Sequence, residues 1–473
     1  MSILAANVKP LFKELQWHQA SEYTLLALLA VSLPLSWRIA LWCLILLCAN
    51  TLVRIFVTRH VGNPALDRPT RICLSLMMLF YLVYALSGIY SNNPHEALST
   101  ISTMLPLILF PLVFLLTDTH YLTRRHLSLL TYLMAATLTV RFIIMLIRSA
   151  FHTLDTQLFS STTDLITALL TQLVTPAIQA MPFPELGRMI AIPPFRVAAH
   201  LFDNTMFDSR PTYLFDPLHH NYLALYILTA IALLYNELMR HWHSPRWLRL
   251  RWFVILDIAI LSAYILLSGS RSGMVAWVLL FIACLAHLAI ARHRWRTICI
   301  ILVTLTSIIG ITYWASPSTY KRVTSTVNNL RLGEQGDLRQ SLWQSGLEIA
   351  KERPLFGYGC DGYWEALFQQ YRSHDHLGAS ITGLSTHNQY LETTLVAGLV
   401  GLSAMLAMIL IPALLSLRRP HRNLPMILFT VVYAACIFFE ATFGRQMGLL
   451  FIGFWYCLIL LYPLSPSSHP ADA

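Results

Sequence analysis

LLSGSRSGMVAW, residues 266–277, places Arg271 between two strongly apolar runs, with Gly269, Ser270, Ser272 and Gly273 around it. A guanidinium is a planar fork that binds phosphate through paired hydrogen bonds, and small neighbours let a ligand come close. The same residue could instead snorkel to lipid headgroups or cap helix carbonyls, and the local sequence leaves both open. A second stretch, RPTYLFDPLHHNYLALYIL (210–228), crowds Arg210, Asp216, His219, His220 and Asn221 at the start of another apolar run. Adjacent helix positions point about 100° apart, so these histidines lack the i,i+4 spacing of a helical metal pair, and no metal is expected. A third stretch, STHNQYLETTLVAGLVGL (385–402), carries His387, Asn388 and Glu392 where a polar segment meets an apolar one. Imidazole titrates near neutrality, so His387 is a candidate general base, although a lone histidine at a helix start can also be structural.

The elements that must hold these residues are membrane helices. Of the 473 residues, 56% are hydrophobic and only 12% are charged, too apolar for an ordinary soluble chain of this length. Apolar runs of bilayer-spanning length recur along almost the whole sequence. They predict an all-α integral membrane protein with about twelve spans: 21–36, 38–57, 71–90, 99–117, 128–149, 217–237, 252–269, 273–290, 298–315, 387–416, 425–441 and 446–463. The run near Tyr23 reads as the first membrane helix rather than a cleaved signal. Six segments follow: N-terminal helices in 1–150, an interfacial segment 151–216, helices in 217–315 carrying SGSRSG, a large loop 316–386, C-terminal helices in 387–463, and a tail 464–473. ITALLTQLVTPAIQAM (166–181) reads as an amphipathic helix lying on the membrane face. SLWQSGLEIAKERP (341–354) reads as a helix stopped by Pro354, and GYGCDGYW after it as a tight turn.

Charge sets the orientation. Arg54, Arg59, Arg68 and Arg71, then Arg124 and Arg125, then Arg240, Arg246, Arg249 and Arg251, then Arg292, Arg294 and Arg296, then Arg418, Arg419 and Arg422 fall in alternate short loops. The positive-inside rule makes those loops cytoplasmic and, with twelve spans, both termini as well. Arg210, Arg271, His387 and Arg445 then share the outer face. The net charge of +10 is spent on these topology clusters, with no basic helix or stacking platform for nucleic acid. Cys43, Cys48, Cys73, Cys284, Cys299, Cys436 and Cys457 lie in apolar runs and Cys360 alone in a polar loop, so neither a disulfide framework nor a zinc site is expected. No Walker A sequence and no HExxH is present, and acids within the spans are few, Asp257 and Glu440 among them.

Four stretches, in order and on one side of the membrane, resemble the bacterial O-antigen ligase/O-antigen polymerase superfamily of membrane glycosyltransferases. They are Arg210, Phe215, Pro217, Asn221 and Ala224 opening a helix; SGSRSG at 268–273; ERPLFGYGCDGYW at 352–364 in the large loop; and THNQYLETTLVAGLVGL at 386–402. The resemblance covers roughly residues 205–445. It implies a GT-C-like architecture with the large periplasmic loop between the ninth and tenth helices, in the bacterial inner membrane, with the active site on the periplasmic face. It implies a glycan donor linked to undecaprenyl diphosphate and, for a ligase, lipid A-core as acceptor, with no cofactor and no metal. A polymerase would extend another lipid-linked unit, and related members glycosylate protein. Carried over by position, Arg210 and Arg271 would hold the diphosphate and His387 would activate the acceptor hydroxyl or bind phosphate. His219, His220, Asn221, Asn388 and Arg445 would line the substrate site. His374 and His376 are weaker candidates for the acceptor side. The FDPLHHNY stretch departs from the simpler proline–asparagine pair expected of the family, so Arg210 fits less closely than Arg271.

Overall fold

The computed structural model describes residues 17–147, 218–242, 244–268, 270–292, 338–418 and 420–463. These form helices and turns and no strand. In chain order the α-helices are α1 (Trp17–Ser32), α2 (Trp37–Thr58), α3 (Arg68–Ser87), α4 (Pro94–Thr103), α5 (Pro106–Leu116), α6 (Arg124–Ile147), α7 (His220–Arg240), α8 (Leu248–Ser268), α9 (Arg271–Arg292), α10 (Leu338–Glu352), α11 (Trp364–Ser373), α12 (Leu377–Thr382), α13 (Gln389–Leu417), α14 (Pro420–Phe438) and α15 (Gln446–Leu461). Arg210, the expected helices at 166–181 and 298–315, and the tail 464–473 lie outside the described residues.

Seven of these helices are long and apolar enough to cross a membrane: α2, α3, α6, α7, α8, α9 and α13. The span expected at 99–117 is present as a bent pair, α4 and α5, meeting at 41° and together long and apolar enough to cross. Pro106 stands at the first position of α5, where a proline's missing N–H costs no helical hydrogen bond and marks the new helix start. α1, α15 and the apolar part of α14 are each 16 residues, about 24 Å long and shorter than a full bilayer crossing.

Burial follows composition. The whole apolar window of α7 is buried, which puts it at the centre. α8, α9 and α14 pack around it, while α3 packs on α5 and α13, and α15 on α5. Outward positions such as Trp42, Leu52 and Phe56 of α2 are exposed and apolar, as a hydrocarbon-facing surface requires. Two acids inside the bundle are hydrogen-bonded. Glu237 accepts from Ser128 (2.7 Å) and Arg240 (3.1 Å), and Asp257 accepts from Thr139.

The large loop is locked to the bundle at a break in α13. Ala397 and Gly398 have non-helical backbone angles, which would strand carbonyls and amides inside the protein. The segment Pro354–Gly359 fills the gap. Tyr358 N–H donates to Leu395 O (2.8 Å) and Gly359 N–H to Val396 O (2.9 Å). Leu399 N–H donates to Pro354 O (2.8 Å) and Val400 N–H to Leu355 O (3.3 Å). Gly398 has φ 61°, and a Cβ there would sit 2.2 Å from Leu355 carbonyl atoms. Tyr90 and Ser91, just past α3, donate to Phe356 O and Cys360 O and clamp the same segment from the other side. The expected helix at 341–354 is present as α10, ending just before Pro354.

Candidate functional site

The three stretches singled out by their chemistry meet at one end of the bundle. Asn221, one residue into α7, is 5% exposed, and its side chain is committed at both ends. Its Oδ1 accepts from Ser270 Oγ (2.8 Å) and Ser272 Oγ (2.7 Å), the two serines flanking Arg271. Its Nδ2 donates to Glu440 Oε2. Glu440 Oε1 in turn lies 3.5 Å from His387 Nδ1. A continuous polar chain therefore runs from the SGSRSG segment to the histidine. The close approach of α7 and α9 makes this possible: a Cβ on Gly273 would stand 2.7 Å from Ala224 Cβ.

Local sequence explains the placement. Ser270 Oγ accepts from Gly273 N–H at 3.0 Å and so caps the first turn of α9, which Arg271 opens. Asn388 caps α13, its Oδ1 accepting from Leu391 N–H at 3.1 Å. His387 just before it has φ 49°, a left-handed conformation more tolerated by His, Asn and Asp than by most residues. Such strain persists only where the surroundings hold it. Here His387 N–H donates to Ser385 Oγ (3.2 Å), and Trp343 of α10 donates to Thr386 O (2.9 Å). The loop helix thus buttresses the turn that presents His387.

Four helices begin at this cluster: α7, α9, α13 and α15. Tyr222 OH of α7 donates to Ala441 O (3.1 Å), and Phe443 N–H donates to Gln389 Oε1 of α13 (2.8 Å). Each helix N-terminus carries about half a positive charge, so their gathering favours an anion. Burial raises the Glu440 carboxyl, but the close approach of His387, the hydrogen bond from Asn221 and the positive charge of nearby His219 outweigh it, and its pKa falls below the ordinary value.

Among the expected site residues, Asn221 and His387 are joined through Glu440. His219 and His220 are half-buried with their rings 4.0 Å apart, and His219 caps α7 through Asn221 N–H. Arg445 is exposed beside α15. Asn388 spends its side-chain oxygen on a helix cap. His374 is on the loop, where it contacts Glu348 (3.1 Å) and Ser345 (3.0 Å) rather than the joined cluster. Arg271 has its helix-opening position, and Arg210 lies outside the described residues. Sequence reasoning did not nominate Glu440, Ser270 or Ser272. Glu440 carried a signal, since an ionisable residue at the edge of a membrane span is a functional candidate by default.

Comparison with known proteins points to one family over part of the chain. Residues 257–406 match the family model described as O-antigen ligase, a stretch that includes Ser270, Arg271, Ser272, His387 and Asn388. An uncharacterized protein of Haemophilus influenzae is 31% identical over 173 residues, 34% of this chain and 41% of the relative. The exopolysaccharide production protein ExoQ of Rhizobium meliloti is 37% identical over 82 residues, 16% of this chain and 18% of the relative. The chain thus spans less than half the length of either curated relative. Over residues 257–406 it is similar to the O-antigen ligase family, the one its motifs resemble.

Proposed function

We propose that the protein is an O-antigen ligase, transferring a glycan from undecaprenyl diphosphate to a sugar hydroxyl of lipid A-core at the periplasmic face of the bacterial inner membrane. The observation that carries this reading is the joining of the SGSRSG segment to His387 through Asn221 and Glu440 at a point where four helices begin. The reaction breaks the bond between the anomeric carbon and a phosphate oxygen, and the electron pair leaves with the diphosphate. Helix N-termini and the guanidiniums of Arg271 and Arg210 stabilise that growing charge. The acceptor hydroxyl attacks the anomeric carbon and gives its proton to His387. A positioned base contributes typically 10²–10⁴-fold. Attack from the face opposite the leaving group inverts the anomeric centre.

The match to a protein of exopolysaccharide production supports keeping a second reading, a polymerase that would use the same donor and extend another lipid-linked unit. One experiment separates them. The protein is reconstituted in liposomes with undecaprenyl-diphosphate glycan, purified lipid A-core and a chelator, and products are read by mass. Glycan on the core supports the ligase, and longer lipid-linked glycan supports the polymerase. Wild-type rates from both Arg271→Ala and Arg271→Lys would remove this site from the reaction.

A further inference from the structure

We propose that Glu440 is the positioning residue for His387, and that Asn221 ties it to the SGSRSG segment. This rests on the reading of His387 as the base. Glu440 stands in the short connection between α14 and α15, 8% exposed, with one carboxylate oxygen facing His387 Nδ1 and the other receiving Asn221 Nδ2. A carboxylate at Nδ1 selects the tautomer protonated there. That leaves the Nε2 lone pair free to take the acceptor's proton, and the carboxylate then stabilises the imidazolium that forms. At 3.5 Å the contact is loose, as such contacts commonly are before substrates bind.

The remaining surroundings leave the task to Glu440. Among the described residues, the charged and titratable groups around it are His219 capping α7, Tyr222 of α7, His387 and Glu392 at the head of α13, and Arg445 at the start of α15. Glu392 is the other acid, but one of its oxygens is buried without a hydrogen-bond partner, and neither oxygen is within ion-pair distance of His387. The depressed pKa of Glu440 keeps it a carboxylate through the neutral range, as the role requires. Its folded pKa being lowered, this charge is present above the ordinary carboxylate range and is lost only as pH falls through the depressed value.

The link to Asn221 gives the arrangement a second consequence. Asn221 Oδ1 holds both serines beside Arg271, so the donor-side segment and the base share one rigid hydrogen-bonded frame. Displacing the arginine's helix start would therefore move the carboxylate that orients the base.

The test is Glu440→Gln in the reconstituted transfer assay, beside His387→Ala and Glu440→Asp. A glutamine can still accept from Asn221 through its oxygen, while its amide N–H donates to Nδ1 and drives the proton onto Nε2. The expected result is a kcat lower by about 10²-fold with donor KM changed by less than about threefold. The acidic limb of kcat/KM moves to lower pH, because the imidazolium has lost its carboxylate partner. Glu440→Asp, which retains the charge, keeps the limb at its wild-type position even if kcat falls. A wild-type kcat in Glu440→Gln, or a reduced kcat with an unmoved limb, would overturn the positioning role. With His387→Ala inactive, that outcome leaves the proposed function standing; an active His387→Ala would sink the proposed function itself.

Discussion

Replacing Gly398 by alanine tests whether the large loop is locked to the bundle as the backbone geometry requires. Gly398 has φ 61° and ψ −158°, a region occupied essentially by glycine, and an alanine held there is strained by about 1–3 kcal/mol. Its Cβ would lie 2.2 Å from Leu355 C and O and 2.4 Å from Phe356 N. All three are backbone atoms, so no rotamer change relieves the clash, and Pro354–Gly359 must withdraw from the break in α13. Withdrawal gives up the four backbone hydrogen bonds across that break, each worth about 0.5–1.5 kcal/mol net. Strain and lost bonds together come to about 3–9 kcal/mol, enough to open a local element of a protein whose total stability is about 5–15 kcal/mol. Hydrogen exchange in detergent reads the effect directly. The amides of Tyr358, Gly359, Leu399 and Val400 should exchange faster by at least tenfold, which corresponds to about 1.4 kcal/mol. Transfer activity should fall with them, because α10 and the turn bearing His387 belong to the same loop. Gly378→Ala in α12 is the control: a Cβ there meets nothing within 4 Å, and exchange at those four amides should stay at the wild-type rate. Unchanged protection in Gly398→Ala would refute the interlock.

Cys360 is fully buried, and burial pushes its thiol well up, so a polar maleimide should leave it unmodified in the folded protein and label it after denaturation. Asn221→Leu removes the acceptor shared by the Ser270 and Ser272 hydroxyls, which then have only each other as acceptors, and the donor to one Glu440 oxygen. Each buried group left unsatisfied costs about 1–3 kcal/mol, and thermal unfolding in detergent should show a clear fall in Tm. Gly273→Val should also lower Tm, by overpacking worth about 1–3 kcal/mol, since even its Cβ would lie 2.7 Å from Ala224 Cβ. A Tm equal to wild type in Gly273→Val would mean that α7 and α9 stand further apart.

The membrane-helix architecture was legible because hydrocarbon forces helical hydrogen bonding and apolar outward faces, and both leave long uncharged runs. Trp42, Leu52 and Phe56 show that signal in α2. Caps were legible in kind, since Ser, Asn and Asp before an apolar run favour helix starts. Their consequence was missed at Asn388, whose side-chain oxygen serves α13 rather than standing free for substrate. Two other features were invisible for a physical reason. Periodicity reports neighbours three or four positions apart, whereas Asn221 and Glu440 are 219 residues apart in the chain and meet only because α7 and the α14–α15 connection pack together. Likewise PLFGYG at 354–359 and VAGLVG at 396–401 read as two glycine-rich stretches, and only the fold shows that one supplies the hydrogen bonds the other lacks. The bent pair α4–α5 differs from the single expected span because hydropathy averages across Pro106. Each miss lies at a joint where a helix starts, ends or breaks. In a bilayer those joints are where backbone polarity is free to meet a charged ligand, so the residues hardest to read from hydropathy are also the ones placed to do chemistry.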